Sequence, residues 1–264
     1  MTWVDSHCHL DFETFSTQEN FHQKLLSAGC LGVLVPAISV QYFERLIQFQ
    51  NKFCASKNGF VNIALGLHPY FLSAFKPDHI QILDQQLALN KPCAVGEIGL
   101  DYVLPQDSHE LQLSCFEQQV KLAIKHGLPL VVHCRKAHDP LAAILRRLKF
   151  NHGGIIHAFS GSIQQAQNYL KLGFVLGLGG ALTFDRAKAM HKMVKALPND
   201  AYVLETDSPD MAPAFAPNAV NNPLNIPQIA QYIAHLRDEP LSQVYAHSTQ
   251  NFERVMNLTL AGEC

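Results

Sequence analysis

The chain has almost no excess of charge and no long hydrophobic run, and both absences narrow its possible functions. Its 264 residues contain 20 Lys and Arg against 22 Asp and Glu, a formal net charge of −2. Extended duplex binding requires clustered cationic side chains, so we expect no broad polyanion-binding surface. The longest apolar stretch, residues 172–182, contains four glycines and is too short to cross a bilayer. We therefore expect a soluble protein.

Paired cysteines are absent as well. The seven cysteines include no Cys-x-x-Cys pair and are odd in number. This pattern is typical of reduced, mostly buried thiols in the cytoplasm. The first apolar run begins at Thr2 or Trp3 and leaves no room for a signal peptide, which also favours a cytoplasmic protein.

Eight short apolar runs alternate with segments of helical periodicity. The runs cover residues 3–4, 31–37, 61–66, 93–96, 129–132, 154–156, 174–177 and 201–204. The helical segments cover residues 18–28, 41–56, 79–90, 109–126, 139–149, 163–172 and 186–197, and two more follow a loop at 208–225. This alternation predicts a parallel sheet with both faces buried. Eight units predict an α/β fold, a single (β/α)8 TIM barrel over residues 1–264, with a doubly wound open sheet as the alternative.

Chemically active side chains follow most of these runs. They are His7 and His9, His68, Glu97, His133 and Arg135, His157, and Glu205 and Asp207. Barrels place their sites at the carboxyl ends of the strands, and ionisable groups buried there need a partner or a metal. The His-x-His spacing at the first strand turns both imidazoles to one face. Imidazoles and carboxylates at one mouth predict a Zn²⁺, Mn²⁺ or Ni²⁺ site, or Mg²⁺ where carboxylate and water dominate.

Several of these residues have structural alternatives. The alternative for Glu97 is a buried salt bridge with Arg135, since a buried carboxylate needs a partner. Asp207 is a candidate N-cap of the turn that follows it. His68 precedes a proline, where a loop hydrogen bond competes with a substrate contact. Strand parity turns two cysteines beside candidate ligands into the layer between strands and helices, Cys8 and Cys134.

Six segments, in order along the chain, resemble the TatD family of metal-dependent hydrolases. They are DSHCHLDF, LGLHP, AVGEIGLDY, VVHCRKAHD, HAFSGS and LETDSPDMAP. One such segment alone is a weak match, but six in order are specific and cover essentially the whole chain. The family belongs to the amidohydrolase-like barrels. Its characterised members are divalent-metal phosphodiesterases described as deoxyribonucleases, some of which trim DNA from the 3′ end.

The resemblance implies a site for two divalent metal ions. Its ligands would be His7, His9 and Asp207 for the first ion, His133 and His157 for the second, and Glu97 as the bridge. Two ions roughly 3.5–4 Å apart would activate a water and stabilise charge on a phosphoryl oxygen. Asp207 would then accept the proton of that water as general base.

Three further matched residues imply support and substrate contacts. Glu205 would assist the attacking water or fix the ligand geometry, and His68 and Arg135 would reach the substrate phosphate. Two positions depart from the family: Asn222, where relatives often have Glu, and Ala158, where Cys is common. The implied function is a phosphodiester hydrolase, a deoxyribonuclease of 3′-to-5′ exonuclease type. It would act on DNA or another phosphodiester as a monomer without an obligate protein partner.

Other hydrolase classes also begin with His-x-His and stay open at this point. An amidohydrolase-type deaminase, or an amide or lactone hydrolase, usually bridges its metals with a lysine where this chain has Glu97. A small-molecule phosphoesterase of the polymerase-and-histidinol-phosphatase type generally needs more histidine ligands. The glycines of residues 176–180 would leave room for a phosphate or, equally, for tight packing at the barrel rim.

Overall fold

Eight short strands alternate with helices along the chain and lie side by side in one sheet. In the computed structural model, which describes residues 1–16, 18, 20–54 and 59–260, the strand order is β1 to β8 and each neighbouring pair is parallel. The strands are β1 Trp3–Asp5, β2 Cys30–Pro36, β3 Val61–Leu65, β4 Ala94–Asp101, β5 Leu130–Arg135, β6 Gly154–Ile156, β7 Phe174–Leu178 and β8 Tyr202–Leu204. The runs predicted from the sequence match these strands within a few residues, except that β4 is longer.

The helices lie where the periodicity predicts them. They are α1 Glu13–Ser16, α2 Phe21–Ser27, α3 Phe43–Cys54, α4 Asp78–Asn90, α5 His109–His126, α6 His138–Arg147, α7 Ile163–Leu170, α8 Lys188–Ala196, α9 Ile226–Arg237 and α10 Leu241–Met256. The sequence did not predict the short helix α1. The segment predicted as helical over residues 41–56 corresponds to α3, and its predicted end at Ser56 lies outside the described residues. No helix of the described part is long and apolar enough to cross a membrane.

Backbone hydrogen bonds join the first and last strands and nearly close the barrel. The amide of Ser6 donates to the carbonyl of Leu204 at 2.9 Å, and that of Asp207 donates to the carbonyl of His7 at 2.9 Å. The amide of His9 donates to the carbonyl of Ser208 at 2.7 Å. The prediction of a parallel-stranded TIM barrel is confirmed.

One apolar residue from each strand fills the interior of the barrel. These residues are Val4, Leu34, Ala64, Ala94, Val131, Ile155, Val175 and Val203. We call them the interior layer. Phe252 and Met256 of α10 belong to the same cluster, and so do Leu31 and Cys93 at the amino ends of β2 and β4. Helix α10 therefore closes the barrel at the amino ends of the strands, and the carboxyl ends are left for the site.

Free thiols are found wherever the structure describes a cysteine side chain. Cys8, Cys30, Cys93, Cys115 and Cys134 are unpaired, and four of them are buried. The side chains of Cys54 and Cys264 lie outside the described residues.

Candidate metal centre at the carboxyl ends of the strands

The carboxylate of Glu97 lies at the centre of a group of imidazoles. Its Oε2 is 3.2 Å from His7 Nε2, and its Oε1 is 3.4 Å from His133 Nδ1 and 3.6 Å from His157 Nε2. Glu97 is 2% exposed and His7 is fully buried. Residues that are ninety positions apart in the chain thus share one buried polar cluster.

Asp207 completes this cluster on the side of the first strand. Its Oδ1 is 3.5 Å from His7 Nε2 and 3.8 Å from His9 Nε2, and its Oδ2 is 3.9 Å from His157 Nε2. The backbone of Asp207 has a φ of 58°, in the left-handed region that non-glycine residues seldom adopt. These contacts join the Asp207 side chain to imidazoles, so they do not support the alternative that Asp207 mainly caps a turn.

Strand β5 brings His133 inward by alternation, and His157 and Glu205, which directly follow β6 and β8, continue the same spacing. Asp207 lies beyond the end of β8 with a left-handed backbone, so alternation alone does not set its direction. The interior residues Val131, Ile155 and Val203 are followed at even spacing by His133, His157, Glu205 and Asp207. Side chains two positions apart on a strand face the same way, so an interior position at the base of the strand predicts the direction of the site residue above it.

Strands β1 and β4 need an irregularity to do the same. Ala94 faces the interior, so alternation alone would turn Glu97 outward. The pairing of β4 with β5 shifts register between Val95 and Ile98, and such bulges redirect side chains. Strand β1 ends at Asp5, and the chain bends before the histidines. The shared direction of His7 and His9 was predicted correctly, although neither residue lies in a strand.

Local charge favours a positive ion at the centre of this cluster. Burial alone would raise the pKa of Glu97, but the imidazoles of His68, His7 and His157 outweigh it and hold that pKa well below its ordinary value. Burial lowers the pKa of His157, yet the carboxylates of Asp207, Glu205 and Glu97 raise it to about 10. The carboxylates of the cluster therefore stabilise positive charge on neighbouring groups, and a cation placed among them would gain the same interaction.

The donor set fits divalent metal ions. Within the described part of the chain, no Lys or Arg pairs with Glu97, Glu205 or Asp207, whose charged partners are imidazoles. Both ring nitrogens of the fully buried His7 lack a hydrogen-bond partner. Buried polar atoms without partners are costly, and a metal ion satisfies imidazole nitrogens and carboxylate oxygens together. Three groups have ligand atoms within 4.8 Å of one another: His7 with His9 and Asp207, His7 with His157 and Glu205, and His68 with Glu97 and His133.

The whole chain matches one family of hydrolases. A family model described as "TatD related DNase" matches residues 4–257. The chain is 33% identical to the uncharacterized metal-dependent hydrolase YjjV of Escherichia coli (strain K12), over 97% of this chain and 98% of that protein. This chain belongs to the TatD family of metal-dependent hydrolases.

Other relatives agree with this placement. An uncharacterized metal-dependent hydrolase of Haemophilus influenzae is 32% identical over 95% of this chain and 98% of that protein. The crystal structure of E. coli YjjV superposes with a TM-score of 0.91 and 33% identity, over 97% of this chain and 98% of that chain. A TatD-family hydrolase from Entamoeba histolytica has a TM-score of 0.83 and 22% identity, over 97% and 98% of the two chains, which shows the shared fold.

In this TatD-family protein the imidazoles and carboxylates grouped around Glu97, which we call the metal cluster, lie at the bottom of a cavity of about 610 Å³. Arg135 and His68 line the cavity, and Arg135 is exposed. Within the described part Arg135 has no ion pair with Glu97, so the buried salt bridge considered from the sequence is not formed. Cys8 packs in the layer between strands and helices, as parity predicts, and Cys134 packs there too although it also touches the cavity wall.

Glu205 contacts the ring nitrogen of His157 that is not directed at Glu97. Its Oε1 lies 3.3 Å from His157 Nδ1 and accepts a hydrogen bond of 2.6 Å from the amide of Ala158. A Cβ at Gly177 would stand 2.0 Å from Glu205 Oε2, so this glycine is needed for close packing against the carboxylate. The packing interpretation of the glycine segment is therefore correct at Gly177, and the departure at Ala158 leaves this backbone contact intact.

Asn222, the other departure from the family pattern, does not line the cavity. Its side chain accepts a hydrogen bond from the amide of Leu224 at 3.0 Å. The preceding Asn221 is fully buried and donates to the carbonyls of Thr206 and Asp210, at 2.7 and 2.8 Å. Asn221 thus holds the loop that follows Asp207, and Asn222 caps a short 3-10 helix.

Two buried carboxylates escaped the sequence analysis as site residues. Asp101 Oδ2 is 3.1 Å from His133 Nε2. Asp5 accepts from the amides of His7 and Thr206 at 3.1 and 3.0 Å, and from the Thr206 hydroxyl at 2.6 Å. Burial raises the pKa of Asp5 to about 8, against the opposing effect of these hydrogen bonds. Both carboxylates end a strand, β4 at Asp101 and β1 at Asp5, and this position is the sequence signal that could have identified them.

Two glutamines of α5 that fix the backbone beside the site were also not predicted from the sequence. The side-chain amide of Gln119 accepts from the amide of Leu67 at 2.7 Å and donates to its carbonyl at 3.1 Å. Gln112 makes the same pair of bonds with Asp101, at 2.8 and 3.1 Å. Both glutamines are buried. They fix the backbone beside His68 and at Asp101, and a buried glutamine inside an amphipathic helix is the sequence feature that could have revealed them.

Proposed function

We propose that this TatD-family protein is a divalent-metal-dependent phosphodiester hydrolase, a deoxyribonuclease that removes nucleotides from the 3′ end of DNA. The convergence of imidazoles and carboxylates at the bottom of a cavity with an arginine on its wall carries the proposal. The family description, which names a DNase, supports it. We further propose that residues 1–264 form one domain, which acts as a monomer in the cytoplasm.

Two metal ions are proposed, of the Zn²⁺, Mn²⁺, Ni²⁺ or Mg²⁺ type. Their ligands would be His7, His9 and Asp207 at one position, His133 and His157 at the other, and Glu97 between them. When bound, the ions would lower the pKa of a water and neutralise charge on a phosphoryl oxygen.

Contacts with carboxylates indicate which nitrogen of each histidine is free for a ligand role. Asp101 faces His133 Nε2, which leaves Nδ1 directed at Glu97. Glu205 faces His157 Nδ1, which leaves Nε2 directed at the same carboxylate. A carboxylate behind an imidazole fixes its tautomer and orientation, as in many metal sites.

Asp207 is proposed as the general base. Its side chain is 17% exposed, whereas those of Glu97 and Glu205 are 3% and 1% exposed. Asp207 is therefore the carboxylate of the cluster that meets solvent at the cavity floor. A carboxylate oxygen of Asp207 would take the proton of the attacking water.

His68 and Arg135 are proposed to hold the phosphate. His68 Nδ1 accepts a hydrogen bond from the amide of Tyr70 at 3.1 Å, so the proton of its neutral ring lies on Nε2. A protonated Nε2 cannot bind a metal, which argues against a ligand role. This nitrogen lies 3.3 Å from Glu97 Oε1, so it would donate to a phosphate oxygen in place of that carboxylate. Arg135 brings planar paired donors to the same cavity.

The depth of the cluster in the cavity favours cleavage at the end of a DNA strand over cleavage in its middle. Glu97 and His157 are buried at the cavity floor. A phosphodiester must therefore enter the cavity to reach them, and a paired strand on both sides would obstruct this entry. The proposal is thus an exonuclease on single-stranded or frayed DNA.

An assay panel tests the function. The metal-stripped protein is reconstituted with Mn²⁺, Mg²⁺, Zn²⁺ or Ni²⁺ and given single-stranded DNA labelled at either end, bis-p-nitrophenyl phosphate, and amide and lactone substrates. We expect metal-dependent release of mononucleotides from the 3′ end and hydrolysis of the model diester. Hydrolysis of amides or lactones without any phosphodiester cleavage would contradict the proposal and favour the amidohydrolase alternative.

A further inference from the structure

Exposed aromatic side chains border the mouth of the cavity. Tyr70 and Phe71 are 55% and 41% exposed and line the cavity together with Phe12. We call Phe12, Tyr70 and Phe71 the aromatic rim. Single exposed aromatic residues are ordinary, but several grouped at one cavity mark a binding surface. The reaction proposed above uses none of the three.

Local bonds hold this rim at a fixed distance from the metal cluster. Tyr70 and Phe71 lie in a 3-10 helix, Pro69–Ala74, that begins directly after His68. Their amides donate to His68 Nδ1 and to the His68 carbonyl at 3.1 and 3.0 Å. The Tyr70 and Phe71 rings lie 6.2 and 5.8 Å from the His68 ring between centroids, and His68 Nε2 lies 3.3 Å from Glu97. One imidazole therefore separates the rim from the cluster.

Cationic side chains are scarce around the cavity. Arg135 is the one Lys or Arg among the described residues that line it. The nearby Arg45 is paired with Asp11 at 2.7 Å. Phosphate contacts usually dominate affinity for nucleic acids and need several Lys or Arg. The proposed metal ions and Arg135 would hold the phosphate, and no further Lys or Arg among the described residues lines the cavity. The rest of a nucleotide must therefore bind through other contacts, which the aromatic lining offers.

We propose that the aromatic rim binds an unpaired nucleobase next to the phosphate held at the metal cluster. Every nucleobase offers an aromatic face, so stacking on Tyr70 and Phe71 tolerates any base. The faces of a base inside a duplex are covered by its neighbours, so the rim selects terminal or unpaired nucleotides. This inference rests on the proposed phosphodiester hydrolysis and adds the group that the enzyme recognises.

Binding of a nucleotide and of its base-free analogue tests the rim. Calorimetry on the Mn²⁺-loaded protein would measure the Kd of deoxyadenosine 5′-monophosphate and of 2-deoxyribose 5-phosphate. Since stacking changes affinity by roughly 5- to 150-fold per base, we expect the nucleotide to bind at least about 5-fold more tightly. In the double variant Tyr70→Ala, Phe71→Ala, this ratio should fall toward one while the Kd of the sugar phosphate stays within twofold.

Two control variants separate stacking from general damage. Phe215 is 41% exposed, as Phe71 is, but does not line the cavity, so Phe215→Ala should keep the wild-type ratio. Tyr70→Phe retains the ring and should keep it too. The backbone bonds to His68 survive all of these substitutions. Equal affinity of the wild type for both ligands, undetectable nucleotide binding, or an unchanged ratio in the double variant would overturn the inference.

The binding measurement and the assay panel together distinguish the two proposals. A protein that binds the nucleotide preferentially through the rim but cleaves no phosphodiester retains the inference on binding and loses the proposed reaction. A protein that hydrolyses bis-p-nitrophenyl phosphate yet shows no preference for the nucleotide retains the reaction and loses the rim.

Discussion

The interior layer and the metal cluster are stacked in one barrel, and their most buried residues are similarly shielded from water but opposite in chemistry. Ile155 and Val203 of the layer are fully buried, and His7, Glu97 and Glu205 of the cluster are 0, 2 and 1% exposed. Burial of an apolar side chain stabilises the fold, whereas burial of a charged one costs free energy unless partners compensate it. The interior layer therefore stabilises the fold, and the metal cluster provides the side chains that can bind metal.

Removal of one charge from the cluster should have the largest effect. Asp207→Asn replaces the proposed base with an isosteric amide, and we expect phosphodiester hydrolysis to fall by about 10²–10⁴-fold because proton transfer is lost. Steady-state kinetics with a fixed metal concentration checks this, and circular dichroism checks the fold. The exposed Asp185 offers a matched control, so Asp185→Asn should be silent. Turnover of Asp207→Asn near the wild-type level would remove Asp207 from the role of base.

A cavity in the interior layer should affect stability and spare the chemistry. Ile155→Ala should lower the free energy of unfolding by about 2–5 kcal/mol, through lost apolar burial and the cavity left behind. Denaturant titration measures the loss, and metal affinity per folded molecule is expected to stay unchanged. A large loss of metal affinity in this variant would show that the two regions are coupled.

Neutralising a supporting carboxylate should separate function from stability. Glu205→Gln keeps an acceptor for the amide of Ala158 but weakens the negative environment behind His157. We expect a loss of about 10- to 100-fold in metal affinity or activity. The melting temperature of the metal-free protein should change little, because removal of a buried charge and loss of its pairing with His157 act in opposite directions. A lower melting temperature together with unchanged metal affinity would assign Glu205 to the stabilising region instead.

Removal of a surface ion pair should have the smallest effect, a small decrease in melting temperature. Hydrogen bonds from Arg147 and Lys121 lower the pKa of Glu117 from 4.5 to about 2. A carboxylate with a depressed pKa stabilises the fold above its unfolded pKa and loses this contribution as pH falls from about 4.5 toward about 2. Glu117→Gln should lower Tm at pH 7 by no more than about 3 °C, since exposed pairs contribute little. Thermal scans at pH 7 and pH 4 should show this difference shrinking, and a constant difference would contradict the assignment.

The sequence predicted the barrel and the residues of the cluster because both depend on local patterns. Alternating apolar runs fix strands, and the positions of His133 and His157 at the ends of such runs marked them as site candidates. Strand alternation would not have predicted the direction of Glu97, because a register shift reverses it. The supporting contacts were also out of reach, because Asp5 and Thr206 are 201 positions apart and meet only once the barrel closes.

Local patterns along the chain fix which side chains are available and where the strands lie, and they carry the resemblance to the family. Folding brings Glu97 to face the cluster, places carboxylates behind His133 and His157, and sets Tyr70 and Phe71 at the border of the cavity. These two sets of features differ in the distance along the chain over which their causes act. Periodicity acts over a few residues, whereas pairing register, closure of the barrel and the compensation of buried charge depend on contacts across the whole chain.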